Sequence, residues 1–231
     1  ILGGITARAD EKLPTWFADQ QRSAWTQFES LPMPARKDQA WRFSNVGALD
    51  LSPYSNAAAP SEADGREILD RSTGLEETSG RLVFADDHFL EREVLSEKLR
   101  KVGVIFQPLE RAMIEHEELF RRHFMSQPAT LGSAKFAALH EAFVRSGTFL
   151  YVPRGVEVEL PLEAYHWLQT ENAAIFPHTL VVAEELSRVT LVDYFRSSNR
   201  ERPGFACGVN DLIVGAGAES TAPLCAAESF A

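Results

Sequence analysis

The sequence predicts an α+β protein in which a mainly helical amino-terminal part gives way to stacked short strands. Three observations carry this reading. Apolar residues recur at helical spacing through residues 10–30, 108–125 and 134–145. At Gly147 the period switches abruptly to β-branched and aromatic runs. The turns between those runs are too short to hold helical crossovers. The division falls at 1–146 and 147–231, with a linker near 47–80 in the first part.

Taken in order, residues 10–30 form a helix with Trp16, Phe17, Gln20, Ala24 and Phe28 on one face and Asp19, Gln21, Arg22 and Gln27 outside. Pro32 and Pro34 end it, since proline cannot continue a helical hydrogen-bond ladder. The stretch LDLSPYSNAAAPSEADG is rich in Pro, Ser, Ala and Asp and reads as loop. RLVFAD at 81–86 is a strand ended by a turn at Asp86-Asp87, residues 90–101 a short helix, and VGVIF at 102–106 a second strand. Residues 108–125 read as one helix that starts at Pro108. Leu109, Met113, Leu119, Phe120 and Phe124 form its apolar stripe, and Glu117-Arg121 and Glu118-Arg122 support it as i,i+4 pairs. Ser133 caps a helix over 134–145, with Phe136, Leu139, His140 and Phe143 on one face.

Six strands follow at Phe149–Val152, Val156–Leu160, Glu163–Leu168, Thr179–Ala183, Val189–Phe195 and Gly208–Val214. Turns at Pro153-Arg154-Gly155, Glu184-Glu185 and Gly215–Gly217 punctuate them. Leu150, Val152, Val158, Leu180, Val182, Leu191 and Leu212 are expected to point inward. Strand spacing fits two architectures, a β-sandwich and a β-solenoid, and does not choose between them.

The 231 residues suffice for one large or two small domains. With 45% hydrophobic and 24% charged residues, the composition is that of an ordinary globular protein rather than a disordered chain. The net charge of −10, with no basic cluster longer than Arg36-Lys37 or Arg121-Arg122, excludes nucleic acid as a general partner. The acidity reads as solubility rather than as a docking face. Cys207 and Cys225, with no CxxC, point to a reducing cytoplasm and not to a disulfide framework. No run of about 18 apolar residues is present to span a membrane as a helix, and ILGGITARADEK lacks the basic start of a secretory signal.

Three segments, in this order, resemble the SufB/SufD family of iron–sulfur cluster assembly proteins, and its SufD branch above all. They are PARKDQAWRFSNV at 34–46, FAALHEAFVRSGTFLYVPRGVEVELPLEAYHWL at 136–168 and FPHTLVVAEELSRVTLVDYF at 176–195. The SufB branch usually carries a Gly-Cys-Thr turn after the segment equivalent to Val189–Phe195, whereas here Phe195 leads into Arg196-Ser197-Ser198. The resemblance implies a helical amino-terminal domain followed by a right-handed parallel β-helix, and so favours the solenoid. It implies a scaffold rather than an enzyme, paired with a SufB-like subunit and served by an ABC-type ATPase, SufC, through a carboxy-terminal part with no counterpart here. The chain then corresponds to about half of a longer protein, with its β-helix cut partway. An open layer of this kind is expected to make it self-associate through the solenoid, as a homodimer for example.

Residues with chemical potential each have a plain alternative. His178, in Phe-Pro-His-Thr, could ligate a metal but reads as a strand-start hydrogen bond. His116 and His123, seven apart on one helix, lack a third ligand. His140 and His166 read as packing at an edge. Cys207 could hold sulfur or iron as a thiolate, but reads as a packed core residue, and Cys225 as a residue of the irregular tail. Trp41 and Phe43 read as docking anchors of the amino-terminal domain. Asp193 and Asp211 stand alone in strands, which argues against a β-helical carbohydrate-active enzyme built on paired carboxylates. A generic β-sandwich binding module is the other alternative. No catalytic, cofactor-binding or metal residues are therefore assigned, and no cofactor is expected in this region.

Overall fold

The computed structural model describes residues 4–6, 13–92, 95–128, 133–199, 201–221 and 224–226, the last three and 91–92 by their backbone alone. It is an α+β structure with mixed sheets.

Helix α1 (Thr15–Ser30) starts behind Pro14 and buries Phe17 and Ala24. It also buries Gln21, which the apolar pattern places outside. The Gln21 amide donates to the Val144 carbonyl at 3.1 Å and so satisfies an otherwise open main-chain acceptor. Ser61 caps α2 (Glu62–Arg71). The Asp86-Asp87 turn does more than end a strand. Both residues have positive φ, 47° and 65°, and they close a two-residue hairpin between β1 (Gly80–Ala85) and β2 (His88–Arg92). That geometry matches the twist of the flanking strands, and aspartate tolerates it better than most residues. The helix expected over 90–101 is thus β2 followed by a short α3 (Glu97–Lys101), capped by Ser96.

Strand β3 (Ile105–Pro108) leads into α4 (Leu109–Glu115) and α5 (Glu117–His123). These two replace the single helix expected over 108–125. The break is at His116, whose φ of −134° and ψ of 40° leave the helical region. Separate short helices can each lay an apolar face on a twisted sheet, which one straight rod cannot follow. Leu109, Ala112 and Met113 from α4 and Phe120 from α5 all reach one cluster. Ser133 caps α6 (Ala134–Phe143) as expected, its hydroxyl accepting from the Lys135 amide.

The remaining strands are β4 (Gly147–Val152), β5 (Leu162–Leu168), β6 (Ala174–Ile175), β7 (His178–Ala183), β8 (Arg188–Ser197), β9 (Phe205–Ala206), β10 (Val209–Val214), β11 (Glu219–Thr221) and β12 (Leu224–Ala226). Every pairing among β4 to β12 is parallel, which rules out the antiparallel sandwich. One sheet runs β10-β7-β4-β3 and a second β11-β8-β5-β1-β2, with β12 also on β8, while β6 and β9 form a third pair. The ladders step by a near-constant length. His178 faces Gly147 and Val209 across 31 positions each way (178 − 147 and 209 − 178), and Phe205 faces Ala174 across 31. Strands β1 and β3, from the amino-terminal part, join β5 and β4.

The expected strand at Val156–Leu160 is instead a corner with one bridge, Glu157 to Arg188, and Pro161 interrupts the chain before β5 begins. Inside the corner, Val158 is buried as expected.

Both faces of the two large sheets are covered. Leu150, Val152, Val181, Ala183, Leu162, Ala164, Val189 and Leu191 meet between the sheets. Leu180 and Val182, expected on that inner face, point the other way, onto α4 and α5. The outer face of the second sheet packs Val83, Tyr165 and Trp167 against Ile68 of α2. Leu212 lies in register with Val181 and Leu150 but is 46% exposed, because β10 is the outer strand of its sheet.

Candidate functional site

His140, expected to pack at an edge, is instead central, and His178 makes a hydrogen bond at its strand start, as its setting suggested. His140 from α6 and His178 from β7 are completely buried, and their rings hydrogen bond, Nε2 to Nδ1, at 3.0 Å. His140 Nδ1 lies 2.7 Å from the Cys207 carbonyl oxygen. On the far side, His178 Nε2 lies 3.5 Å from Asp211 Oδ2, which also accepts from the Met125 amide at 2.8 Å. The Phe124 ring covers His178 at 4.8 Å. Three elements, α6, β7 and β10, thus supply the side chains of one polar line between a helix and a sheet. Burial lowers His140 to about 4 and His178 well below its ordinary value, so both rings are held neutral. Burial raises Asp211 against the Met125 hydrogen bond.

The first residue of β4 makes this line possible. Gly147 sits beside His178 with φ of 153°, and a Cβ there would overlap the His178 carbonyl, 2.7 Å from its carbon. Only glycine lets the two strands approach.

Cys207 is half-buried beside Phe136. Burial pushes its thiol up to about 12, and Sγ donates to the Phe136 carbonyl at 3.5 Å. The side chain of Cys225 lies outside the described residues. His116 caps α5 with non-helical backbone and His123 is the last residue of that helix, so the two do not lie on one continuous helix face as expected.

Between the sheets, His166 is stacked by Phe84 and Phe195, each at 5.0 Å, and its Nε2 lies 3.2 Å from Asp193 Oδ1. The second oxygen of Asp193 accepts from the Thr179 hydroxyl at 2.6 Å. Neither Asp193 nor Asp211 stands alone, as the strand pattern suggested. Each partners a histidine rather than a second carboxylate, so the geometry of a glycosidase is missing.

Two further polar centres went unread in the sequence. Asp86 accepts from the amides of Gln169 and Thr170, and Asp87 from Ser146 and the Phe176 amide. The hairpin tip thereby ties β1 to the connections leaving β5 and β6, and the Asp-Asp turn was the available signal. Glu163 accepts from Arg81, the Leu75 amide and the hydroxyls of Tyr165 and Tyr194. Trp41 packs against Phe136 with ring centroids 5.6 Å apart, as an anchor would, whereas Phe43 is 88% exposed beneath Arg42. Among the described residues, no group of three or more His, Cys, Asp or Glu is placed to hold a metal ion. Among them, too, no helix is long and apolar enough to cross a membrane.

The arrangement is one of buried polar groups tied across stacked parallel strands. The family described as the SufBD protein N-terminal region matches residues 7–164, and the chain belongs to the SufB/SufD family. It is 31% identical over 213 residues to the iron–sulfur cluster assembly protein SufD of Bacillus subtilis, covering 90% of this chain and 48% of that protein. It is 30% identical over 194 residues to SufB of the same organism, covering 78% of this chain and 40% of that one. An iron–sulfur cluster assembly SufBD family protein of Mycobacterium tuberculosis is 32% identical over 202 residues, 84% of this chain and 23% of that protein. The chain spans about half the length of the SufD and SufB relatives or less.

Proposed function

We propose that this chain is part of a SufD-like scaffold subunit of an iron–sulfur cluster assembly complex. The observation that carries the reading is the set of parallel ladders stepping by 31 residues in a member of this family. Such a step is one coil of a solenoid whose walls are the three sheets. We read it as the start of a right-handed parallel β-helix. Residues 1–146 then form the amino-terminal domain and 147–231 the first part of the β-helix, with β1 and β3 covering its first coil. The outer strand β10 leaves an edge that further strands can extend.

In this reading the protein is cytoplasmic and supplies surfaces, not catalytic groups. The cluster is cargo of the whole complex. The partners are a SufB-like subunit and a SufC-like ATPase, the latter bound outside this chain. This region itself holds neither iron nor zinc, and the chain alone self-associates through its solenoid.

The test is co-expression of the full-length protein with SufB-like and SufC-like subunits of its own organism, followed by affinity purification. A stable complex, with loss of iron–sulfur enzyme activity in cells lacking the protein, is expected. Failure to co-purify under anaerobic conditions, with cluster enzymes unaffected, would overturn the reading. For self-association, light scattering compares the chain with a version ending at Leu131. Equal association of the two would place the contact in the helices instead.

A further inference from the structure

The line from Cys207 to Asp211 contains a proton-counting problem. A carbonyl oxygen only accepts, so the 2.7 Å contact with the Cys207 oxygen requires the hydrogen of His140 on Nδ1. A neutral His140 then presents a lone pair at Nε2, and His178 must donate from Nδ1 across 3.0 Å. A neutral His178 in turn presents a lone pair at Nε2, and facing it is an oxygen of Asp211. Three links need three hydrogens, while two neutral imidazoles carry two. The deficit falls where the structure is loosest. The last contact is the longest at 3.5 Å, and His178 Nε2 is a buried atom with no hydrogen-bond partner. The opposite polarity does not help, because it would leave His140 Nδ1 as a lone pair against the Cys207 oxygen at 2.7 Å.

We propose that His178 and Asp211 form a buried binding site for one additional proton, whose uptake closes the third link and fastens β10 to β7 and α6. Whether the proton rests on nitrogen or on oxygen, the count is the same, and the pair titrates as a unit.

The surroundings leave this pair to itself. From α6 come the neutral His140 and the carboxyl of Glu141, which is raised by burial and by the charge of Asp211 and is held by Gln20 at 2.6 Å. From the end of α5 come the Met125 amide and the Phe124 ring. Arg122 and His123 on that helix interact with Glu184 and Tyr151 instead. The Cys207 thiol stays protonated and donates to Phe136. Among the described residues no lysine or arginine is close enough to Asp211 to shift it, so His178 is the group positioned to share its charge.

Asp211→Asn makes the test direct. Both the Met125 amide and His178 Nε2 face Oδ2, so the carboxamide oxygen takes that place, still accepts from the Met125 amide and carries no proton for His178, and the third link stays open at every pH. The folded wild type holds the extra proton more tightly than the unfolded chain does at Asp211. Its stability therefore falls relative to the variant as pH rises through the titration of the pair. The expected result is a Tm difference, wild type minus variant, that falls by about 2–4 °C as pH rises through the titration of the pair. A second measurement needs no variant. In wild-type protein labelled at histidine and aspartate and titrated from about pH 8.5 down to the acid limit of folding, the His178 ring nitrogens and the Asp211 carboxyl carbon should shift with one common midpoint. A variant destabilised equally at every pH, or a His178 ring without any shift across that range, would overturn the proposal.

Discussion

Replacing Gly147 with alanine should separate two strands that nothing else can hold at that distance. The residue opens β4 beside the His178 backbone. Its φ of 153° lies outside the regions open to side-chain-bearing residues, which costs on the order of 1–3 kcal/mol. A methyl group would also overlap the His178 carbonyl, a backbone atom with no rotamer to change. To relieve that, β4 and β7 must part at this end, weakening the hydrogen bond from the His178 amide to the Ser146 carbonyl, 3.1 Å, by about 1 kcal/mol. The two effects together amount to about 2–4 kcal/mol, a large share of the 5–15 kcal/mol typical of a folded domain. For a chain of this length that is a fall in Tm of roughly 4–16 °C. Urea denaturation followed by tryptophan fluorescence and circular dichroism would measure it. The His140–His178 contact, read from the histidine ring signals, should be disturbed as well. A loss below about 1 kcal/mol, well under the conformational and steric cost combined, would refute the reasoning.

Two other outcomes follow from the polar centres. Glu163→Ala should destabilise the fold by about 2–4 kcal/mol in the same urea assay, because it removes the buried carboxylate to which Arg81, the Leu75 amide and the hydroxyls of Tyr165 and Tyr194 donate; a change under about 1 kcal/mol would show that these groups find other partners. Cys207 should resist iodoacetamide in native protein at pH 8, where a thiol raised to about 12 is ionised in roughly one molecule in ten thousand, and react on unfolding in urea; rapid modification of the native Cys207 peptide, read by mass spectrometry, would contradict its burial.

Much of this architecture was legible in the chain. Ser133 as a cap, the strands at β4, β5, β7, β8 and β10, and the helical cover before Gly147 all follow from local rules of capping and period, and the three quoted segments pointed to the family that the comparisons show. The two- and three-residue strands β6, β9, β11 and β12 were not legible, because so short a run has no period to read. The facing of the strands was not legible either. Alternation shows that Leu180 and Val182 share a side, but in a strand apolar on both sides it cannot show which side looks inward. Only the register with Leu150 and Val152 assigns the inner face to Val181 and Ala183. The sequence by itself determined most of the longer elements, their order and the family. The tertiary structure alone decided the polar ties. His140, His178 and Asp211 lie 38 and 33 residues apart (178 − 140 and 211 − 178) and meet because parallel ladder hydrogen bonds set β10 beside β7, under α6. That stacking is a long-range property of the backbone, and no local pattern of side chains encodes which residues it will bring face to face.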